Sequence, residues 1–260
     1  MRVLVTGGSM GIGRAVAERL AAGGAGVVVA ARGEAPVEET LAALPGTGHH
    51  GLALDVALEA SWESADLGRL DGLVHAAGVL DPVGPIGEYA PRAFRDTVAV
   101  NLFGTQMAVH FCLPHLRPGS GIVTFSGGGG TSPLPRFDAY AASKAAVVRL
   151  TENLAPVLAE RGLRINAIAP GFVATRMQES VLRAGPQAAG DDYFASTRRQ
   201  VAEGGVPPEQ AAELAAFLLS PESEGISGKL ISARWDPWQE EPFRQRLRTD
   251  PDFAVLRRAL

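Results

Sequence analysis

Arg2-Val3-Leu4-Val5-Thr6-Gly7-Gly8-Ser9-Met10-Gly11-Ile12-Gly13 is the stretch on which the fold turns. Val3–Val5 is apolar on both faces of an extended chain and reads as a strand buried on both sides. Glycines crowd the end of that run, and a helical pattern, Gly13–Ala22, follows. A strand that turns through glycines into a helix suits a phosphate. The glycines let the backbone approach a pyrophosphate, and the helix N-terminus offers free N–H groups and a positive dipole. An ordinary strand-to-helix turn has the same look, so the rest of the chain must decide.

Six further short runs repeat the first: Val27–Ala31, Leu52–Leu54, Leu73–Ala76, Ile122–Phe125, Ile165–Ile168 and Leu230–Ile231. Helical patterns separate them at Pro36–Leu44, Arg92–Leu116, Ala139–Arg161 and Pro208–Leu219. Apolar strands alternating with helices predict a doubly wound α/β domain, with a parallel sheet of about seven strands covered on both faces. We expect this domain over residues 1–234 and a tail over 235–260. The tail carries five arginines and closes on Phe253, Val255, Leu256 and Leu260, a spacing suited to docking on the fold or on a partner subunit. Thr175–Gly205 lacks clean periodicity and reads as a lid over a site.

Composition narrows the class. With 260 residues, 46% hydrophobic and 20% charged, a substantial core is available. The 24 Lys and Arg against 28 Asp and Glu give a net charge of −4, which offers no electrostatic route to nucleic acid or an anionic membrane. Neither a spanning segment nor a signal-peptide pattern is legible. The single cysteine, Cys112, permits no intrachain disulfide, and a reducing cytoplasm is the expected setting. The histidines show no metal-ligand spacing, so no metal is expected.

The chemistry gathers at Tyr140-Ala141-Ala142-Ser143-Lys144. On a helix, positions i and i+4 share a face, so the phenol and the ammonium point the same way. A cation beside a tyrosine favours phenolate and suits the pair to acid–base work near neutral pH. Together with Thr6–Gly13, Asn101-Leu102-Phe103-Gly104 and the run Asn166–Thr175, this order of motifs resembles the short-chain dehydrogenase/reductase family over residues 2 to about 232.

The resemblance implies reversible hydride transfer between a nicotinamide cofactor and a carbonyl or secondary alcohol, with Tyr140 as the acid and base. It places Gly7, Ser9, Met10, Gly11, Ile12 and Gly13 at the cofactor phosphates, and Asp55 and Val56 at the adenine. Ala77 and Gly78 would pass beneath the cofactor, and Lys144 would hold the nicotinamide ribose. Asn101 would support a water-linked proton path. Pro170, Gly171, Val173 and Thr175 would meet the carboxamide. A homo-oligomer, dimer or tetramer, is expected.

This chain also departs from the family pattern. An Asn-Asn-Ala-Gly segment usually follows the fourth strand, and here it reads His75-Ala76-Ala77-Gly78; we take His75 as a strand residue. The family serine that polarises the substrate commonly lies 13 residues before the tyrosine, where this chain has Gly127. Ser126 is one position earlier, and strand alternation would turn it away from the site. The flexible Gly127–Gly130 run could bulge and restore it, and Ser126 is the preferred candidate. Thr131, Ser132 or loop N–H groups are the alternatives.

For the cofactor, Ala31 is neutral where NAD-specific members carry an acid, and Arg32 follows with a guanidinium suited to a 2′-phosphate. NADP is expected, with NAD the alternative. Two rival functions are a sugar-nucleotide epimerase or dehydratase on a related fold and a non-catalytic nucleotide-binding scaffold. The first usually needs a different glycine spacing and a larger C-terminal domain. The second sits poorly with Asn101, Tyr140 and Lys144 occurring together.

Overall fold

Each of the seven apolar runs forms a strand in the computed structural model, which describes residues 1–257. In chain order they are β1 (Arg2–Thr6), β2 (Gly26–Ala31), β3 (His50–Ala53), β4 (Leu70–His75), β5 (Leu116–Phe125), β6 (Arg164–Ala169) and β7 (Leu230–Ser232). They make one parallel sheet in the order β3-β2-β1-β4-β5-β6-β7. The order reverses between β1 and β4. The connections leave those two strands for opposite faces, and a crevice opens beyond their carboxyl ends.

Side-chain alternation explains why the strands look apolar throughout. Val3, Val5, Val27, Val29, Val74 and Val123 face a layer built on α1 (Gly11–Ala22), α2 (Glu34–Ala43) and α9 (Pro208–Leu219). Leu4, Val28, Leu73, Ile122 and Ile165 face the other layer, with Trp62 of α3 (Glu59–Glu63), Met107 of α5 (Gly104–Cys112) and Leu158 of α6 (Asp138–Ala159). The helix expected over Arg92–Leu116 is divided. It runs as α4 (Pro91–Val98), a π-helical turn (Ala99–Phe103) that carries Asn101, and α5; Leu116 already belongs to β5.

The segment expected as a lid without regular structure is helical. Arg176–Ala189 forms α7 and Asp191–Ala202 forms α8, with the excursion closed by an antiparallel bridge between Val173 and Gly205. Its periodicity is hidden because Gly185 (φ 80°) and Pro186 kink α7, and Gly190 (φ 85°) separates the two helices.

The tail lies along the β7 edge. Leu230 N donates to Ala254 O at 2.8 Å, and the Lys229 ammonium donates to the carbonyls of Asp250, Pro251 and Phe253 at 2.7, 3.3 and 2.8 Å. Its own helix, α10 (Glu241–Thr249), follows Trp238, which packs on Phe217 of α9. An otherwise open strand edge is thereby covered. Leu260 lies outside the described residues.

His75 closes β4, fully enclosed, with Nδ1 2.9 Å from Thr6 Oγ1. Burial, and secondarily the Lys144 charge, push its pKa down to about 3. The unfolded histidine takes up a proton as pH falls through about 6.5, while the folded one refuses it down to about 3. Stability is therefore lost across that window, at up to about 1.4 kcal/mol per pH unit. His75→Asn should flatten the fall in melting temperature between pH 6.5 and 4 relative to wild type; parallel curves would show that His75 is not the linked group.

Candidate active site

Where the strand order reverses, the chain encloses a cavity of about 930 Å³. Its floor is the turn after β1. Gly7 (φ 67°) and Gly11 (φ 53°) adopt conformations that L side chains avoid. A Cβ on Gly7 would lie 2.7 Å from Ala77 N, and one on Gly13 would collide with the Gly7 carbonyl. Helix α1 starts after Met10 with no side-chain cap, so its first N–H groups face the cleft unsatisfied by side chains. Backbone donors and close glycine approaches of this kind fit a dinucleotide's pyrophosphate.

Along the cleft wall lie Ala31, Arg32, Asp55, Val56, Ala77 and Gly78. Arg32 is exposed and makes no ion pair among the described residues, so its guanidinium is available to a phosphate. Arg14, by contrast, is engaged by Glu18 and Glu39 on the outer surface of α1. The far wall is the loop after β6, where Pro170, Gly171, Val173 and Thr175 line the cavity and Thr175 Cγ2 approaches Gly11.

Tyr140 and Lys144 project from the first turns of α6, both nearly enclosed. Lys144 Nζ donates to Phe125 O at 2.9 Å and stands 5.8 Å from the Tyr140 ring centroid. The motif predicts a phenol made more acidic by Lys144. Burial outweighs the cation instead, raising Tyr140 above the ordinary tyrosine value, with Tyr193 adding to the shift. The same burial pushes Lys144 down to about 8. The site thus holds a protonated phenol at neutral pH beside a lysine that titrates not far above it.

Asn101 reaches the site from the π-helical turn. Its Oδ1 accepts from Val79 N at 2.8 Å, and its Nδ2 donates to Val79 O and to Ser143 Oγ, each at 2.9 Å. The carboxamide therefore clamps the Gly78–Val79 backbone to α6.

Ser126 is turned away from this cluster. Its Oγ donates to Lys144 O at 3.3 Å, under the glycine loop, where a Cβ on Gly130 would strike it. The residue that faces the phenol is Gly127, whose added Cβ would collide with Tyr140 Oη. The strand register holds, and the glycine run does not bulge to reverse it. Thr131 and Ser132 are exposed and do not line the cavity.

The helices α7 and α8 contribute what the sequence reading missed. Met177, Ser180, Arg183 and Tyr193 line the cavity, and Trp235 stands at its rim. Leu80, Phe137, Tyr140 and Val181 form a small apolar cluster there, with Met177 and Tyr193 packed against it. A regular helical stripe from Met177 to Val181 was the available signal, cut short by Gly185.

The chain is similar in sequence and fold to known oxidoreductases. The family model described as enoyl-(acyl carrier protein) reductase matches residues 7–233. Levodione reductase of Leifsonia aquatica is 33% identical over 245 residues, covering 88% of this chain and 91% of the relative. The structure of an actinorhodin polyketide ketoreductase variant with NADPH superposes with a TM-score of 0.77 at 30% identity, covering 89% of this chain and 94% of that one. A 3-ketoacyl-(acyl-carrier-protein) reductase from Brucella melitensis, complexed with NADH, gives 0.75 at 28% identity, covering 89% and 95%.

The glycine loop provides a direct test of the site's geometry. Gly128→Ala has open space, with Leu134 Cδ2 3.7 Å away, and should be neutral or stabilise by up to about 1 kcal/mol. Gly127→Ala must displace Tyr140 and should cost about 1–3 kcal/mol in chemical denaturation. Equal effects of the two changes would contradict the placement of Tyr140.

Proposed function

This chain belongs to the short-chain dehydrogenase/reductase family, and from that premise we propose that Tyr140 is the proton donor of an NADP(H)-dependent carbonyl reductase. The activity itself is NAD(P)-dependent interconversion of a carbonyl and an alcohol. The observation that carries the assignment to Tyr140 is the neutral, enclosed phenol at the meeting of the glycine-lined cleft and the apolar pocket of α7 and α8.

A bound nicotinamide dinucleotide would supply or accept the hydride. Gly7, Ser9, Met10, Gly11, Ile12 and Gly13 would hold its phosphates, Asp55 and Val56 its adenine, and Pro170, Gly171, Val173 and Thr175 its carboxamide. Ala77 and Gly78, which line the cleft, would pass beneath it, and Gly78 packs so closely that a Cβ there would crowd Asn101 Oδ1 at 3.2 Å and Lys144 Nζ at 3.4 Å. In reduction Tyr140 Oη gives its proton to the nascent alkoxide; in oxidation it takes the hydroxyl proton. Lys144, 5.8 Å from the Tyr140 ring centroid, would stabilise the phenolate so formed. Asn101 acts as a positioning residue by fixing Val79 against α6.

Arg32 beside the neutral Ala31 supports NADP over NAD. The single cysteine, Cys112, buried in the core, is consistent with a cytoplasmic enzyme, and exposed Phe103 and Val157 with a homo-oligomer. The substrate class is a small carbonyl compound, and levodione is a reasonable first probe because a relative is named for it.

Two measurements test this reading. Arg32→Ala should weaken NADPH binding at least about tenfold and leave NADH nearly unchanged, since a charge-assisted phosphate contact is worth roughly 1.5–3 kcal/mol; equal affinities of wild type for the two cofactors would refute the preference. Tyr140→Phe should lower kcat by about 10²–10⁴ while the NADPH dissociation constant stays the same, and appreciable turnover by that variant would show that the donor lies elsewhere.

A further inference from the structure

We propose that Tyr193, on α8, supplies the second hydroxyl of the site and donates to the substrate carbonyl oxygen alongside Tyr140, replacing the serine hydroxyl this chain lacks at position 127. The inference rests on the carbonyl-reductase reading and adds a catalytic residue to it.

Elimination narrows the donors. Gly127 occupies the position facing Tyr140 Oη and has no side chain. Ser126 also lines the cavity, but its Oγ is engaged by Lys144 O, and Thr131 and Ser132 are exposed and outside the cavity. Ser180 Oγ donates to Asp81 Oδ2 at 2.9 Å and accepts from Arg183, which commits it to the wall. Tyr193 is different. It lines the same cavity as Tyr140, and its hydroxyl has no hydrogen-bond partner among the described residues.

Its orientation is fixed rather than loose. The Tyr193 ring packs on Phe137, centroids 4.6 Å apart at 50°. Phe137 is wholly enclosed and stands three residues before Tyr140, at the head of α6. Phe137 thereby ties Tyr193 to the end of α6 that carries Tyr140, within one apolar cluster. The two tyrosines also sense one another electrically, since Tyr193 contributes to the raised pKa of Tyr140. Tyr193 is raised by burial as well, so both phenols stay protonated at neutral pH.

Two neutral O–H donors converging on one carbonyl oxygen can occupy both of its lone pairs and stabilise the charge that develops as hydride reaches the carbon. Lys144 lies beside Tyr140 alone, on the same helix face, which assigns proton transfer to Tyr140 and hydrogen bonding to Tyr193. The excursion that carries Tyr193 is held from the glycine-loop side, where Arg136 donates to the carbonyls of Gln187 and Ala188 at 2.8 and 3.2 Å.

The test compares the full-length wild type, Tyr193→Phe and Ser126→Ala, assayed with NADPH and levodione together with a panel of cyclic and aryl ketones. Tyr193→Phe keeps the ring on Phe137, so it should lower kcat by about 10²–10³ with KM changed far less, the loss for one oxyanion donor. NADPH affinity, read by cofactor fluorescence, and melting temperature should match wild type. Ser126→Ala should alter kcat by less than about threefold. A mild Tyr193→Phe overturns the inference alone, leaving the loop N–H groups or, if Ser126→Ala takes the loss, Ser126. A Tyr193→Phe deficit that comes with lost NADPH affinity or a lower melting temperature also overturns it, by showing a packing role. A wild type that binds NADPH yet reduces no ketone overturns the carbonyl-reductase reading, and the inference with it.

Discussion

A parallel sheet with two apolar faces has to be covered on both, and here that constraint sets where chemistry can occur. Val3 and Val5 bury against α1 and α9 while Leu4 between them buries against α5 and α6, so neither face has room for a ligand. Only the carboxyl ends of the strands are open. Because the order reverses between β1 and β4, the connections part there, and the cleft forms at the one place the layers cannot close. The glycine turn, Asn101 on its π-helical turn, and Tyr140 with Lys144 all reach that opening from separate segments. Their geometry is inherited from the sheet.

Within the cleft, burial dominates the electrostatics. Lys144 is close to Tyr140 but its ammonium is bonded to Phe125 O, and both groups are withdrawn from water. Desolvation therefore penalises each charged form, raising the phenol and lowering the amine. A neutral acid is what carbonyl reduction requires, so the departure from the simple cation-beside-tyrosine expectation favours the chemistry. The glycine at position 127 follows the same economy of space, since Tyr140 Oη already occupies the volume a side chain would need.

Much of this was legible in the residues. Seven short apolar runs became seven strands, because a doubly buried strand leaves no polar face to confuse its reading. Tyr140 and Lys144 could be paired from helical spacing, but the preference for Ser126 was wrong: it relied on a bulge in Gly127–Gly130 that does not form, and strand alternation keeps its hydroxyl on Lys144 O. What escaped were features decided by irregular backbone. Gly185, Pro186 and Gly190 broke the period of α7 and α8 and hid Tyr193 in an apparent loop. The π-helical turn at Asn101 is invisible to a 3.6-residue period, so α4 and α5 read as one helix. The acidity of Tyr140 depended on burial, which spacing alone does not report.

The most direct test of the account is a crystal structure of the protein with NADP⁺ bound. The account predicts the 2′-phosphate on Arg32, the pyrophosphate over the Gly7–Gly13 turn, and the nicotinamide ring beside Tyr140 Oη, with Ser126 Oγ still on Lys144 O and the Tyr193 hydroxyl open to the substrate space. A dinucleotide seated outside the β1–β4 crevice, or a Ser126 hydroxyl swung round to Tyr140, would contradict it.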